Sequence, residues 1–339
     1  MAECPVRVEV ARGVVVESRH RGSVADADAA GRLIAGWGDP HRPIFPRSAV
    51  KPLQALPLLD SGAAARFGLG DREIALACAS HGGDTDHVAA VTHWLDALGL
   101  TDTALECGAH WPSDTEAARE LARSGRPPCA LHNNCSGKHS GFLTTARAMG
   151  EDLAGYVGFD HPVQRRVAQA LSEMMGLEVA ALPWGIDGCS IPTFAIPLSA
   201  VATGMARLAD PSRLGPTRAA ACDRIRAAMR THPHLVAGTG RACTAILRAV
   251  PDVVVKAGAE GVYTAAVPRR GLGVALKIED GTARAAEIAL LAVLDHLGAL
   301  DADTRAALAD RYPLPIRNVA GRVVGQIRPA AAWRDSPAV

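Results

Sequence analysis

Strand-forming residues gather toward the two ends of this chain and helical patterns fill the middle, and that placement restricts the folds open to it. Val6-Arg7-Val8-Glu9-Val10 alternates apolar and polar side chains, Arg12-Gly13 turns, and Val14-Val15-Val16-Glu17-Ser18 returns. Residues 6–35 therefore read as antiparallel strands, and three more are expected at 252–257, 261–267 and 271–279. Between them a helix starts near Ser48, with Val50, Leu53, Leu56 and Leu59 on one face. Further helices are expected at 71–79, 84–98 (with Asp84 as N-cap), 113–124, 138–149, 161–175, 198–209, 215–231 and, briefly, near 239–250. Helices at 282–298 and 302–310 and a loose Pro-rich tail close the chain. No repeat of 20–50 residues is visible. A sheet assembled from N- and C-terminal segments around an inserted helical region is an α+β fold.

The 339 residues, 48% apolar and 21% charged, supply enough core for one large domain or two moderate ones. A net charge of +1 gives no electrostatic case for nucleic acid or an anionic membrane as the main partner. No run of 18 apolar residues is free of charges and turn residues, so no membrane span is expected. Met1-Ala2-Glu3-Cys4-Pro5 lacks the basic start of a signal peptide, which points to the cytoplasm. Eight scattered cysteines without a C-x-x-C pair agree with a reducing compartment.

Lysine is scarce. Of 36 basic residues only Lys51, Lys138, Lys256 and Lys277 are lysine. Arginine cannot act as a neutral amine and lysine can, so lysines that persist in an arginine-biased chain are candidates for chemistry. Lys51 closes Ser48-Ala49-Val50-Lys51, an S-x-x-K spacing that puts amine and hydroxyl on one helix face, where the amine can take the serine's proton. The plainer reading makes Ser48 an N-cap and leaves Lys51 in solvent. Ser80-His81-Gly82-Gly83 follows an apolar run; the turn could offer backbone amides to an oxyanion or simply cap a helix. In Asn133-Asn134-Cys135-Ser136-Gly137-Lys138-His139, polar groups crowd a glycine turn before a helix, and Cys189 sits in a second such loop, Asp187-Gly188-Cys189. Two thiolates with nitrogen or oxygen ligands would suit zinc; two buried structural cysteines are the alternative. Lys256 ends an apolar strand, Val254-Val255-Lys256, with Glu260 as a candidate ion-pair partner.

Together these stretches resemble one family, the rhizobial-type L-asparaginases (asparaginase II family, class 3), over nearly the whole chain. The resemblance rests on Pro46-Arg47-Ser48-Ala49-Val50-Lys51-Pro52-Leu53-Gln54, Ser80-His81-Gly82-Gly83, Asn134-Cys135-Ser136-Gly137-Lys138-His139, Gly185 with Asp187-Gly188-Cys189, and Lys256-Ala257-Gly258-Ala259-Glu260-Gly261. It implies a fold like those of serine β-lactamases, penicillin-binding proteins and serine glutaminases, as a single catalytic domain of two packed lobes over 1–329 with a flexible tail at 330–339. It implies two Ser-Lys pairs, Ser48 with Lys51 and Ser80 with Lys256, and zinc on Cys135, Lys138 and Cys189 with water as fourth ligand. Arg47, His81, Asn134, His139, Asp187, Gly258 and Glu260 are the positions expected around substrate. The implied activity is hydrolysis of L-asparagine to L-aspartate and ammonia through an acyl-enzyme, in a cytoplasmic homodimer. A glutaminase, a penicillin-recognising enzyme or a silent zinc-binding scaffold are the competing readings; there is no Ser-Asp-Asn, and only Lys256-Ala257-Gly258 is similar to a K-T-G strand.

Overall fold

The computed structural model describes residues 4–331. The chain divides into two compact units. One holds the chain up to Ala49, Ile196–Arg213 and everything from Ile246 onward; the other holds Val50–Ala195 and Leu214–Ala245.

The first unit carries an eight-stranded sheet, and its order explains why both chain ends had to be strand-rich. The strands run Leu314–Arg317, Val323–Pro329, Val6–Arg12, Val15–Asp28, Leu272–Ile278, Val262–Val267 and Val254–Ala257, with Leu33–Trp37 pairing on Val15–Asp28. Every pairing in it is antiparallel. Val15–Asp28 is 14 residues long because it serves two neighbours in turn: residues 15–21 pair with Val6–Arg12, and residues 22–28 pair with Leu272–Ile278. Val262–Val267 is buried at every position, as a strand covered on both faces must be. Helix Leu198–Ala209 packs on Val15–Asp28, Val262–Val267 and Leu272–Ile278, while Ala283–His296 packs on Val6–Arg12, Val262–Val267, Leu272–Ile278 and Val323–Pro329. Fully burying each of Ile288, Leu290, Leu291 and Leu294 of the latter helix contributes about 1.5–3 kcal/mol.

The second unit is helical around Ser136–Met149, whose residues 136–146 are all buried. A sequence as polar as Ser-Gly-Lys-His-Ser-Gly is costly to bury, and this helix bonds inwardly to offset that. Ser140, Thr144 and Thr145 donate to the carbonyls of Ser136, Ser140 and Gly141, and Trp94 Nε1 donates to Thr144 Oγ1 at 3.0 Å.

Two expectations are corrected. The single helix after Ser48 is instead a 3-10 turn, Arg47–Val50, followed by short helices Lys51–Gln54 and Leu56–Asp60. Pro52 and Pro57 lie in the first turns of the two helices, where a missing N–H costs nothing, but they prevent one continuous ladder. The tail expected to be loose contains the paired strands Leu314–Arg317 and Val323–Pro329, with the former at the sheet edge, where proline is tolerated. The flexible tail expected at 330–339 falls, beyond residue 331, outside the described residues. No helix among the described residues is long and apolar enough to cross a membrane.

Candidate active site

In the first unit the Ser48 turn is seated on the strand pair that carries Lys256. Lys256 lies opposite Thr264 in the register, and Thr264 Oγ1 donates to Ala49 O at 2.8 Å and to Lys256 O at 3.3 Å. Gly258 makes the approach possible: a Cβ there would stand 2.7 Å from Pro46 O and 3.1 Å from Ala49 Cβ. Arg47 is held at φ 51, a left-handed conformation that a side chain adopts only under constraint, immediately before Ser48. Lys256 is 1% exposed and donates to Ala257 O at 2.8 Å, while Ser48 is half-buried. Glu260 is exposed, at φ 56, and its carbonyl accepts from Lys277 Nζ at 2.7 Å. The fourth lysine thus braces the turn that follows the third. Burial pushes Lys277 below its ordinary value, and the charge of Arg42 adds to that.

In the second unit Lys51 is wholly buried and reaches the serine of the next motif. Its Nζ donates to Ser80 Oγ at 3.0 Å, to Asn134 O at 3.4 Å and to Ala79 O. This contact joins the lysine of one expected pair to the serine of the other. Ser80 itself is half-buried, so the amine lies inside and the hydroxyl lies at the edge. In the Ser80-His81-Gly82-Gly83 turn three of the four amides are engaged: Ser80 N donates to Val236 O, His81 N to Asn134 O and Gly83 N to His81 Nδ1. His81 is likewise committed. Its Nδ1 accepts from Gly83, which places the proton on Nε2 facing Ser136 Oγ at 2.9 Å. Burial, then the charges of His87 and Lys51, hold His81 well below its ordinary pKa. Through its Nε2 bond it positions Ser136.

The loop before Ser136–Met149 and the Cys189 loop meet in a buried thiol pocket. Lys138 Nζ donates to Cys189 Sγ at 3.1 Å, and Cys135 Sγ donates to Asn134 Oδ1 at 3.1 Å. The Cys135–Cys189 hydrogen bond, followed by the charges of Lys51 and Lys138, holds the Cys135 thiol well below its ordinary value against the opposing effect of burial. Burial opposes the charge of Lys138, but the two sulfurs outweigh it and raise its pKa. Sulfur, sulfur and amine converge here, a soft donor set of the kind zinc takes. Asp187 is half-buried, its Oδ1 accepts from Gly188 N at 2.7 Å, and its Oδ2 lies 3.9 Å from Cys189 Sγ. His139 is fully buried; Nδ1 meets Tyr156 Oη at 2.7 Å, and Nε2 is without a hydrogen-bond partner.

The model of the L-asparaginase II family matches residues 8–329 of this chain. The chain belongs to that family. As a member of the L-asparaginase II family it is a hydrolase acting on amides. Similar solved structures include Mglu in its native form, at 17% identity and TM-score 0.48 over 84% of this chain and 67% of that one. A beta-lactamase from Mycobacterium bovis is 17% identical, with TM-score 0.41 over 82% of this chain and 95% of that one. A class C beta lactamase from Rhodobacter sphaeroides is 16% identical, with TM-score 0.41 and the same coverages, 82% and 95%. Comparison with curated proteins finds no match.

Three residues of these two clusters were not legible in the sequence. Tyr156 receives Glu106 N at 2.9 Å and reaches His139, yet nothing in Gly155-Tyr156-Val157 marks it. Thr264 reads as an ordinary strand threonine until pairing sets it beside Lys256. Ser136 lay inside a motif, but its partners, His81 Nε2 and Leu131 O, are set only by the fold.

Proposed function

We propose that this chain is an L-asparaginase, hydrolysing L-asparagine to L-aspartate and ammonia through an ester on a motif serine. The contact between Lys51 Nζ and Ser80 Oγ, 3.0 Å, carries the reading. As an ammonium, Lys51 gives one hydrogen each to Ala79 O, Asn134 O and Ser80 Oγ. As an amine it keeps the two carbonyl bonds, and the third direction becomes a lone pair facing the Ser80 hydroxyl. The two carbonyls therefore orient a base.

In the proposed reaction the serine proton passes to Nζ while Oγ bonds the side-chain amide carbon of asparagine. The C–N bond breaks as the departing nitrogen takes that proton and leaves as ammonia. Water then attacks the aspartyl ester, giving a proton to Nζ that returns to the serine oxygen as the C–O bond breaks. The attacking hydroxyl is Ser80, held by Lys51, or Ser48, whose turn is packed on the Lys256 strand. We place zinc on Cys135, Lys138 and Cys189 with water as fourth ligand, Lys138 shedding its proton to bind. Bound there, the metal would supply Lewis acidity and a fixed link between two loops. Arg47, His81, Asn134, His139, Asp187, Gly258 and Glu260 are proposed around substrate, and the working form is proposed to be a homodimer acting as one catalytic domain over 1–329.

The test is ammonia release from L-asparagine and L-glutamine by the parent, Ser48→Ala, Ser80→Ala and Lys51→Ala, with mass mapping of a quenched acyl-enzyme. Release from asparagine, abolished by Lys51→Ala and by one serine variant whose peptide carries the ester, is expected. Preference for glutamine, or turnover of nitrocefin, replaces the substrate; activity untouched by Lys51→Ala overturns the mechanism.

A further inference from the structure

Outside the thiol pocket, the second unit stacks three imidazoles. The rings of His81 and His87 lie 4.7 Å apart, and those of His87 and His234 lie 5.0 Å apart. His87 is wholly buried. Its Nε2 is 3.1 Å from the carbonyl oxygen of His234, and its Nδ1 is 2.6 Å from Asp84 Oδ1. Both neighbours are acceptors, and a neutral imidazole has one N–H to give. One ring nitrogen therefore faces an acceptor oxygen, the Asp84 carboxylate or the His234 carbonyl, with a lone pair unless a second cation, proton or metal, is present. His234 repeats the pattern from the other side, its Nε2 3.3 Å from Asp84 Oδ2. His87 Nδ1 and His234 Nε2 are both buried and lack a hydrogen bond.

The ligand atoms of Asp84, His87 and His234 lie within 4.8 Å of one another. Ligands about 2.0–2.1 Å from a tetrahedral zinc stand about 3.3 Å apart, which is the His234–Asp84 separation. Binding an ion would lengthen the shorter His87–Asp84 contact, 2.6 Å. A cavity of about 140 Å³ lined by Gly82, Asp114, Gly238 and Arg241 lies beside the cluster, and a Cβ on Gly238 would stand 3.4 Å from His87 Cε1 and 3.8 Å from Asp84 Oδ2.

We propose that Asp84, His87 and His234 form a second divalent-metal site, of zinc type, with water as fourth ligand and no sulfur in its shell. Asp84 caps helix Thr85–Ala97, accepting from His87 N at 3.1 Å. His234 lies on Pro233–Ala237, whose Val236 carbonyl accepts from Ser80 N at 2.9 Å. An ion there fastens the two segments flanking the Ser80 turn, so it is a structural site for that turn.

The test is cobalt titration of the chelator-stripped chain, followed by absorption spectroscopy and elemental analysis. Asp84→Asn keeps a capping oxygen, and His234→Ala removes a ring that is partly exposed; far-UV circular dichroism checks that both variants fold. Each variant is expected to bind one equivalent less than the parent, and the lost ion should show d–d bands without thiolate charge transfer. Any thiolate band from Cys135 and Cys189 should survive in both variants. Unchanged stoichiometry in both folded variants, or a parent that binds only thiolate-ligated cobalt or none, overturns the site. The count does not depend on hydrolysis of any amide.

Discussion

Asp26 gives the sharpest quantitative test of how this fold treats charge. It lies in the long strand Val15–Asp28, opposite Val274 and Ala35, 0% exposed, with both carboxyl oxygens lacking a hydrogen-bond partner. Burial alone pushes its pKa up to about 8. The unfolded chain releases this proton near pH 4 and the folded chain holds it until about pH 8. Between those limits the native state binds more protons, so stability falls as pH rises, by about 1.4 kcal/mol per unit. Asp26→Asn has nearly the same shape and does not titrate. The stability of Asp26→Asn relative to the parent should therefore grow by roughly 3 kcal/mol between pH 5 and pH 7, and the variant should be the more stable at pH 7. Denaturant unfolding followed by fluorescence of the five tryptophans at each pH measures this. A difference that stays constant over the range would mean that Asp26 ionises alike in both states, and the burial argument would be wrong.

Three further outcomes follow from close approaches and one shared hydroxyl. Gly258→Ala should displace the Ser48 turn from the Lys256 strand, lowering kcat at least tenfold and costing about 1–3 kcal/mol, read by steady-state kinetics and thermal melting. Gly137→Ala places a Cβ 2.4 Å from Leu76 O, so the buried helix cannot seat; a loss of several kcal/mol in thermal stability is expected, and a melt like the parent's would contradict it. Tyr156→Phe removes the hydroxyl shared by His139 Nδ1 and Glu106 N; about 1–3 kcal/mol of stability should go, with KM raised if His139 Nε2 meets substrate.

What could be read from sequence depended on how local its physical cause was. Val6–Arg12 and Val254–Ala257 show their strand character within a few residues, so the α+β class followed from placement alone. The scarcity of lysine directed attention to Lys51, Lys138 and Lys256, and the structure buries all three. Pairing was another matter. The S-x-x-K spacing gave no sign that Lys51 Nζ touches Ser80, a contact made because the turn after Asp71–Ala77 brings Ser80 in. Leu314–Arg317 and Val323–Pro329 read as loose chain because proline and charge hide an edge hairpin. His87 and His234 are 147 residues apart, and no window of sequence contains both.

The neighbour that the Val6–Arg12 strand requires has a consequence for synthesis. Glu9 pairs with Arg328, 319 residues later, at 3.3 Å. At about 5–20 residues per second, a ribosome leaves that strand edge open for roughly half a minute while the helical insertion emerges. An open edge of backbone donors and acceptors recruits other strands. The nascent chain therefore spends its most exposed period with one side of its sheet unfinished, and a holdase that covers residues 6–12 should raise the yield of native protein more than one acting after release.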